Sequence, residues 1–133
     1  MIGDVRQKYS RMATITETRY VLAVHNLKAS AAYYGDILGF TITECCDPGW
    51  LFFNKDNCHI MVGECPDAMP AKDTQAHSYF AYMVVADIDS YYQIVSSKGA
   101  ELIKPIKDES WGMREFGVRT PDGHRIMFGA PIK

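Results

Sequence analysis

Two methionines occupy the same place in two copies of one short frame. Residues 56–63 read Asp-Asn-Cys-His-Ile-Met-Val-Gly and residues 122–129 read Asp-Gly-His-Arg-Ile-Met-Phe-Gly, so Met61 and Met127 are equivalent. A thioether is a soft donor, suited to Cu(I) and unsuited to Mg, Mn, Fe(II) or Zn. It is also an adaptable apolar surface that packs well on aromatic rings. Cys58 and His59 precede Met61, and Cys45-Cys46 lies upstream, but the chain has no C-x-x-C pair from which a zinc site is commonly built. The cysteines are expected to be reduced, partly buried thiols. Arg19, Arg114 and Arg125 are candidate receptors for a carboxylate or phosphate, which guanidinium pairs bidentately. Arg114 is the strongest of the three, because it sits among large apolar residues in Trp-Gly-Met-Arg-Glu-Phe-Gly (111–117), where an unpaired charge is costly. No Ser-His-Asp or Cys-His-Asn set can be assembled from His25, His59, His77 and His124. G-x-S-x-G, Walker, G-x-G-x-x-G and H-E-x-x-H motifs are absent.

The elements that must position these side chains are also written twice. Strand-type residues 20–25 lead into Asn26, a good helix N-cap, after which Leu27, Ala31, Tyr34 and Leu38 fall on one helical face and Gly39 follows. Residues 82–86 lead into Asp87, after which Ile88, Tyr92 and Val95 repeat that face and Gly99 follows. Strand-like segments come next in each half, and each half closes with a hairpin whose turn is rich in turn formers: Lys55-Asp56-Asn57 and Pro121-Asp122-Gly123. Each half therefore reads strand, helix, strand, strand, strand. The spacing predicts an N-terminal arm over 1–17 and a single domain over 18–133. Within the domain, module one spans 18–64, a polar linker 65–77 and module two 78–132.

This pattern resembles the vicinal-oxygen-chelate superfamily, which includes glyoxalase I, extradiol dioxygenases and bleomycin-resistance proteins. The carriers are residues 24–40, 84–102 and 111–128. The first is similar to the family's V-x-D-L-x-x-S-x-x-F-Y-x-x-x-L-G-F pattern, with Asn26 for Asp. The last is similar to its D-P-D-G-N hairpin, with Thr120 and His124 at the ends. The resemblance implies an α+β fold: two tandem βαβββ modules forming a curled mixed sheet, a half-barrel, around a central cavity. It also implies divalent-metal ligands from the first and fourth strands of each module. Those places fall on Arg19, Phe80, Met61 and Met127, none of which suits such an ion, so the expectation is no metal and no cofactor.

A cavity without its metal keeps its walls. Assuming even-length hairpin loops, strand alternation puts Phe52 opposite Met61, Trp50 opposite Gly63, Val118 opposite Met127 and Phe116 opposite Gly129. The cavity face then carries Arg19, Trp50, Phe52, His59, Met61, Phe80, Tyr82, Arg114, Phe116, Arg125 and Met127, with Trp111 beside it. These residues are apolar and aromatic with a few cations, as small-molecule sites are. The expected function is a metal-free protein sequestering a small aromatic or anionic ligand, similar to the bleomycin-resistance branch and, like it, a homodimer. The alternatives are a glyoxalase-like lyase or isomerase or a dioxygenase with a relocated site, and a dimeric interaction module with a filled cavity. Net charge is −2 with scattered Lys and Arg, which argues against nucleic acid. No apolar run approaches the roughly 20 residues of a membrane span, and a cytoplasmic location is the default in the absence of a signal-like apolar stretch.

Overall fold

The structure, a computed structural model, describes residues 13–45 and 47–133. Most of the expected N-terminal arm lies outside the described residues; residues 13–17 form no helix or strand.

Strand β1 (Tyr20–Val24) runs into Asn26, whose side chain accepts from the Ala29 amide at 2.9 Å and so caps helix α1 (Leu27–Ala32). The helix widens into a π turn over Tyr33–Ile37. Strands β2 (Thr41–Glu44), β3 (Trp50–Lys55) and β4 (Cys58–Glu64) complete the first module. Short 3-10 turns over Ala71–Ser78 carry the chain to the second. There β5 (Tyr79–Val84) precedes helix α2 (Ile88–Ser97), capped by Asp87, and then β6 (Glu101–Asp108), β7 (Met113–Arg119) and β8 (Arg125–Pro131). Each module makes a four-stranded mixed sheet in the same order: β1-β4-β3-β2 in the first and β5-β8-β7-β6 in the second. In both, the first strand pairs in parallel with the last, and the other pairs are antiparallel. The fold is α+β, with curled, unclosed sheets. Among the described residues no helix is long and apolar enough to cross a membrane.

One face of each sheet is buried against the helices. Phe53, Ile60 and Val62 in the first module and Phe116, Val118, Ile126 and Phe128 in the second are essentially inaccessible, and one apolar cluster joins them to Leu27, Tyr34, Leu38, Ile88 and Val95 from the helices. The modules share this core. Tyr91 of α2 donates its hydroxyl to the Leu38 carbonyl at 2.7 Å, and the Phe80 ring meets Tyr20 edge-on at 6.2 Å.

The two hairpins differ in loop length, two residues against five. Lys55 opposes Cys58, leaving the two-residue turn Asp56-Asn57, with Asp56 at φ 52°. Phe52 therefore opposes Met61 and Trp50 opposes Gly63, as the even-loop register predicts. In the second module Arg119 opposes Arg125, so the loop spans residues 120–124 and is odd. Thr120 accepts from the Gly123 amide at 2.9 Å, and Gly123 takes φ 94°, a conformation that suits glycine. The expected pairs Val118–Met127 and Phe116–Gly129 are thus corrected to Gly117–Met127 and Glu115–Gly129. The odd number of loop residues turns the whole of β7 over.

A polar tie also joins the modules. The His25 backbone amide and ring Nδ1 both meet Asp122 Oδ1 at 2.8 Å, and ring Nε2 meets the Ala68 carbonyl. With an acceptor at each ring nitrogen, first Ala68 and then Asp122, the imidazolium is favoured and the His25 pKa lies above 6.5. Burial pushes the Asp122 carboxyl up, but the His25 bonds outweigh it and the pKa lies below 3.8.

Two measurements test this architecture. Phe116→Ala is expected to cost about 3–5 kcal/mol in urea unfolding, as a filled aromatic core site does, whereas Arg114→Ala changes little; a negligible loss at Phe116 would refute the register of β7. The His25 contribution is complete below pH 6.5 and is lost as pH rises through its elevated folded pKa. The wild-type melting temperature should therefore fall on going from pH 6.5 to mildly alkaline conditions, and His25→Gln should flatten that fall. Parallel profiles would show the tie to be inert.

Candidate functional site

The face of each sheet turned away from the helices is the candidate site. In the first module β3 and β4 point Trp50, Phe52, Asn54, His59 and Met61 to this open face, all partly exposed. The Trp50 indole lies across Gly63, where a Cβ would stand 2.9 Å from the ring. Arg19, just before β1, holds its guanidinium 4.9 Å from the Phe52 ring centroid and bonds Glu17 at 2.7 Å. His59 Nδ1 meets Asn54 Oδ1 at 2.8 Å.

In the second module the open face carries Tyr82, Met127, Glu115, Gly117 and Gly129. Gly129 plays the part of Gly63: a Cβ there would collide with the Tyr82 hydroxyl, so the phenol can cross β8 only because that position is bare. It crosses to reach Glu115. The Glu115 carboxylate, 4% exposed, accepts from Tyr82 Oη at 2.6 Å, Lys104 Nζ at 2.7 Å and Trp111 Nε1 at 3.3 Å. Burial would raise its pKa, but the three donors outweigh burial and hold the carboxyl below its ordinary value. Burial, reinforced by Glu115, pushes the Tyr82 hydroxyl up to about 12. Lys104 also lies 5.3 Å from the Trp111 ring centroid. Arg125 places its guanidinium 5.1 Å from the Tyr79 ring centroid.

Three of the residues expected on this face are elsewhere. Phe116 is wholly buried in the core, and Arg114 shares its side of β7, where it bonds Asp89 at 2.8 Å and Asp108 at 3.0 Å. Both follow from the odd loop, and Arg114 is not an unpaired charge. Phe80 falls at a register shift between Tyr79 and Ala81, and its ring turns to the module junction against Tyr20 and His124. Glu115, Lys104 and the two strand glycines were missed. The Pro-Asp-Gly sequence of the loop, with glycine at the position that takes positive φ, was the signal for an odd turn.

The residues at the chelating corners do not fit a divalent metal. Beside Met61 on the open face stands Val21, and beside Met127 stands Tyr82, while Arg19 precedes the strand. Thioethers, an aliphatic side chain and a phenol held protonated offer no set of hard donors. Among the described residues no group of three or more His, Cys, Asp or Glu converges. A separate cavity of about 560 Å³ opens at the module junction, lined by Tyr20, Lys55, Cys58, Val84, Tyr91 and Phe128 among others; of the expected site residues it touches Tyr82.

Comparison with known proteins places this geometry in context. A family model described as Glyoxalase/Bleomycin resistance protein/Dioxygenase superfamily matches residues 16–128. A bleomycin resistance protein from Geobacillus stearothermophilus is 28% identical over 134 residues, spanning 84% of this chain and 94% of the relative. TioX from Micromonospora sp. ML1 shares the fold with a TM-score of 0.73 at 18% identity, over 89% of this chain and 100% of that one. TnmS3, an antibiotic binding protein from Streptomyces sp. CB03234, does so with a TM-score of 0.72 at 19% identity, over 91% and 98%.

The role of the bare position on β8 is open to test. Gly129→Ala should drive the Tyr82 phenol off Glu115 and bring its titration down from about 12 toward 10. Ultraviolet pH titration would read this, with Tyr82→Phe identifying the transition. An unmoved transition would mean that the close approach does not govern the phenol.

Proposed function

The chain belongs to the Glyoxalase/Bleomycin resistance protein/Dioxygenase superfamily, and on that premise we propose that it is a metal-free small-molecule-binding protein of the glyoxalase/bleomycin-resistance type. It sequesters a small aromatic ligand on the open face of its curled sheets. One observation carries this reading: both chelating corners hold a methionine, and aromatic side chains lie beside them, Trp50 and Phe52 near Met61 and Tyr82 near Met127. Such a surface gives dispersion contact and stacking and little Lewis acidity. The relatives named for bleomycin resistance and antibiotic binding support the class.

Trp50, Phe52, Met61 and Met127 form the apolar floor. Tyr82 and His59 offer polar handles, Trp111 offers its ring face, and Arg19 and Arg125 stand at the hairpin ends. The anionic alternative is the weaker one, because Arg114 is engaged by two aspartates and Arg19 by Glu17. The protein acts as a cytoplasmic homodimer. A second reading, a lyase or isomerase or a dioxygenase with a relocated site, draws on one feature: the Tyr82 phenol is kept protonated beside Glu115 and could donate a proton.

Native mass spectrometry of freshly purified protein, followed by tryptophan fluorescence titration with flat aromatic compounds, tests the proposal. The expected result is a dimer mass, no stoichiometric divalent metal, and saturable quenching that weakens in Trp50→Phe. Stoichiometric manganese, nickel, iron or zinc, or turnover of the methylglyoxal–glutathione adduct abolished in Tyr82→Phe, would replace the binder with the enzyme.

A further inference from the structure

The open faces of the two modules are built on one plan and differ in chemistry. Register makes Trp50 and Glu115 equivalent, since each opposes the glycine of its repeated frame. By the same register Phe52 corresponds to Gly117, and Val21 to Tyr82. The first module thus presents an aromatic floor, Trp50 and Phe52 beside Met61. The second replaces its indole with a buried carboxylate and adds a phenol and an exposed tryptophan.

The hydrogen-bond inventory of that corner is one-sided. Tyr82, 46% exposed as a residue, donates its hydroxyl hydrogen to Glu115, so what its oxygen can still offer a ligand is an acceptor. The Trp111 N–H is spent on the same carboxylate oxygen, and Lys104 is held between Glu115 and Glu109, at 2.7 and 3.2 Å. Two carboxylates thus surround one ammonium. Lys107, which also approaches Glu109, is 70% exposed to water, and Arg119, on the same face of β7, is engaged by Glu101 at 3.3 Å. A ligand arriving there meets an acceptor, and the neighbouring lysines and Arg119 are already engaged by carboxylates.

Building on the binding role assigned to the open face, we propose that this corner receives the polar end of the ligand, and that this end is an O–H or N–H donor. The ligand class is a phenol or an aryl amine, and not an aromatic carboxylate. Tyr82 Oη is the contact atom. Glu115 is a positioning residue: it accepts the phenol's hydrogen bond, fixes the oxygen's lone pairs toward the ligand, and holds Trp111 as a stacking wall beside them. A flat ring lies against Trp111, and its donor meets Tyr82, the two side chains sharing one Glu115 oxygen.

Isothermal titration calorimetry with three ring-matched probes at neutral pH tests this: naphthol, naphthylamine and naphthoate. Wild type should bind the first two about tenfold tighter than naphthoate, the worth of one hydrogen bond gained against the lone-pair repulsion that naphthoate meets. Tyr82→Phe keeps the exposed ring and should bring the ratio close to one, chiefly by weakening the two donors. Glu115→Gln should lower the ratio while Tyr82 is still present. Naphthoate binding as tightly as naphthol, or a ratio unmoved by Tyr82→Phe, overturns the donor assignment and leaves the aromatic binder standing. Failure of all three probes to bind wild type at millimolar concentration removes the open-face site itself, and the assignment with it.

Discussion

Alternation along the two central strands, β4 and β8, is the constraint on which the rest of the molecule depends. Each strand has neighbours on both edges and must serve two environments at once. Ile60 and Val62, like Ile126 and Phe128, go to the helices and carry the core. Met61 and Gly63, like Met127 and Gly129, go to the open face and carry the site. The period of a strand is two, so no residue can be reassigned without moving all of them. A slip of one place would bury the methionines and glycines and expose the isoleucines. Several apolar side chains would lose their burial, each worth roughly 1.5–3 kcal/mol.

The repeated glycine is as much a part of the design as the methionine. It leaves bare backbone at the middle of a sheet, and in each module a large side chain lies across the gap: the Trp50 indole over Gly63 and the Tyr82 phenol over Gly129. The same frame thereby supports unlike surfaces. In the first module the crossing group completes an apolar floor. In the second it delivers a hydroxyl to Glu115, a charge that could not be buried alone. Desolvation works against that carboxylate, and three donors at one site reverse the balance. The two halves share one sheet order, and different open-face residues divide the chemistry between them.

The module junction is a second place where polar groups are held against burial. Asp122 belongs to the turn of the second hairpin, yet its partner is His25, at the end of the first strand of the other module. The aspartate of the repeated frame therefore does different work in its two copies. Asp56 is an exposed turn residue at positive φ, whereas Asp122 ties the modules together through an imidazole that also bonds the connector at Ala68. Equivalent positions in sequence became non-equivalent because the second turn meets the first module and the first turn meets solvent.

Much of the architecture was legible in the chain. Asn26 and Asp87 as caps, Gly39 and Gly99 beyond the helices, the apolar helix faces and the two hairpins are all local signals, and they appear where the spacing puts them. The first hairpin's register was legible as well, because a two-residue turn leaves no freedom. The second hairpin was not read correctly. Its loop holds five residues where the first holds two, and parity, which decides the face of every residue on β7, cannot be seen in the composition of the strand. So Phe116 and Arg114 were assigned to the site when they belong to the core side, and Glu115 between them was passed over. Phe80 was misplaced for a related reason, a register shift in β5. Residue types, spacing and the doubled frame determined the elements, their order and the two methionines facing away from the core. Only the tertiary structure decided which alternate residues of β7 join them and which glycine a phenol could cross. It also decided which carboxylate three donors could reach, since these depend on loop parity and on contacts between strands far apart in the chain.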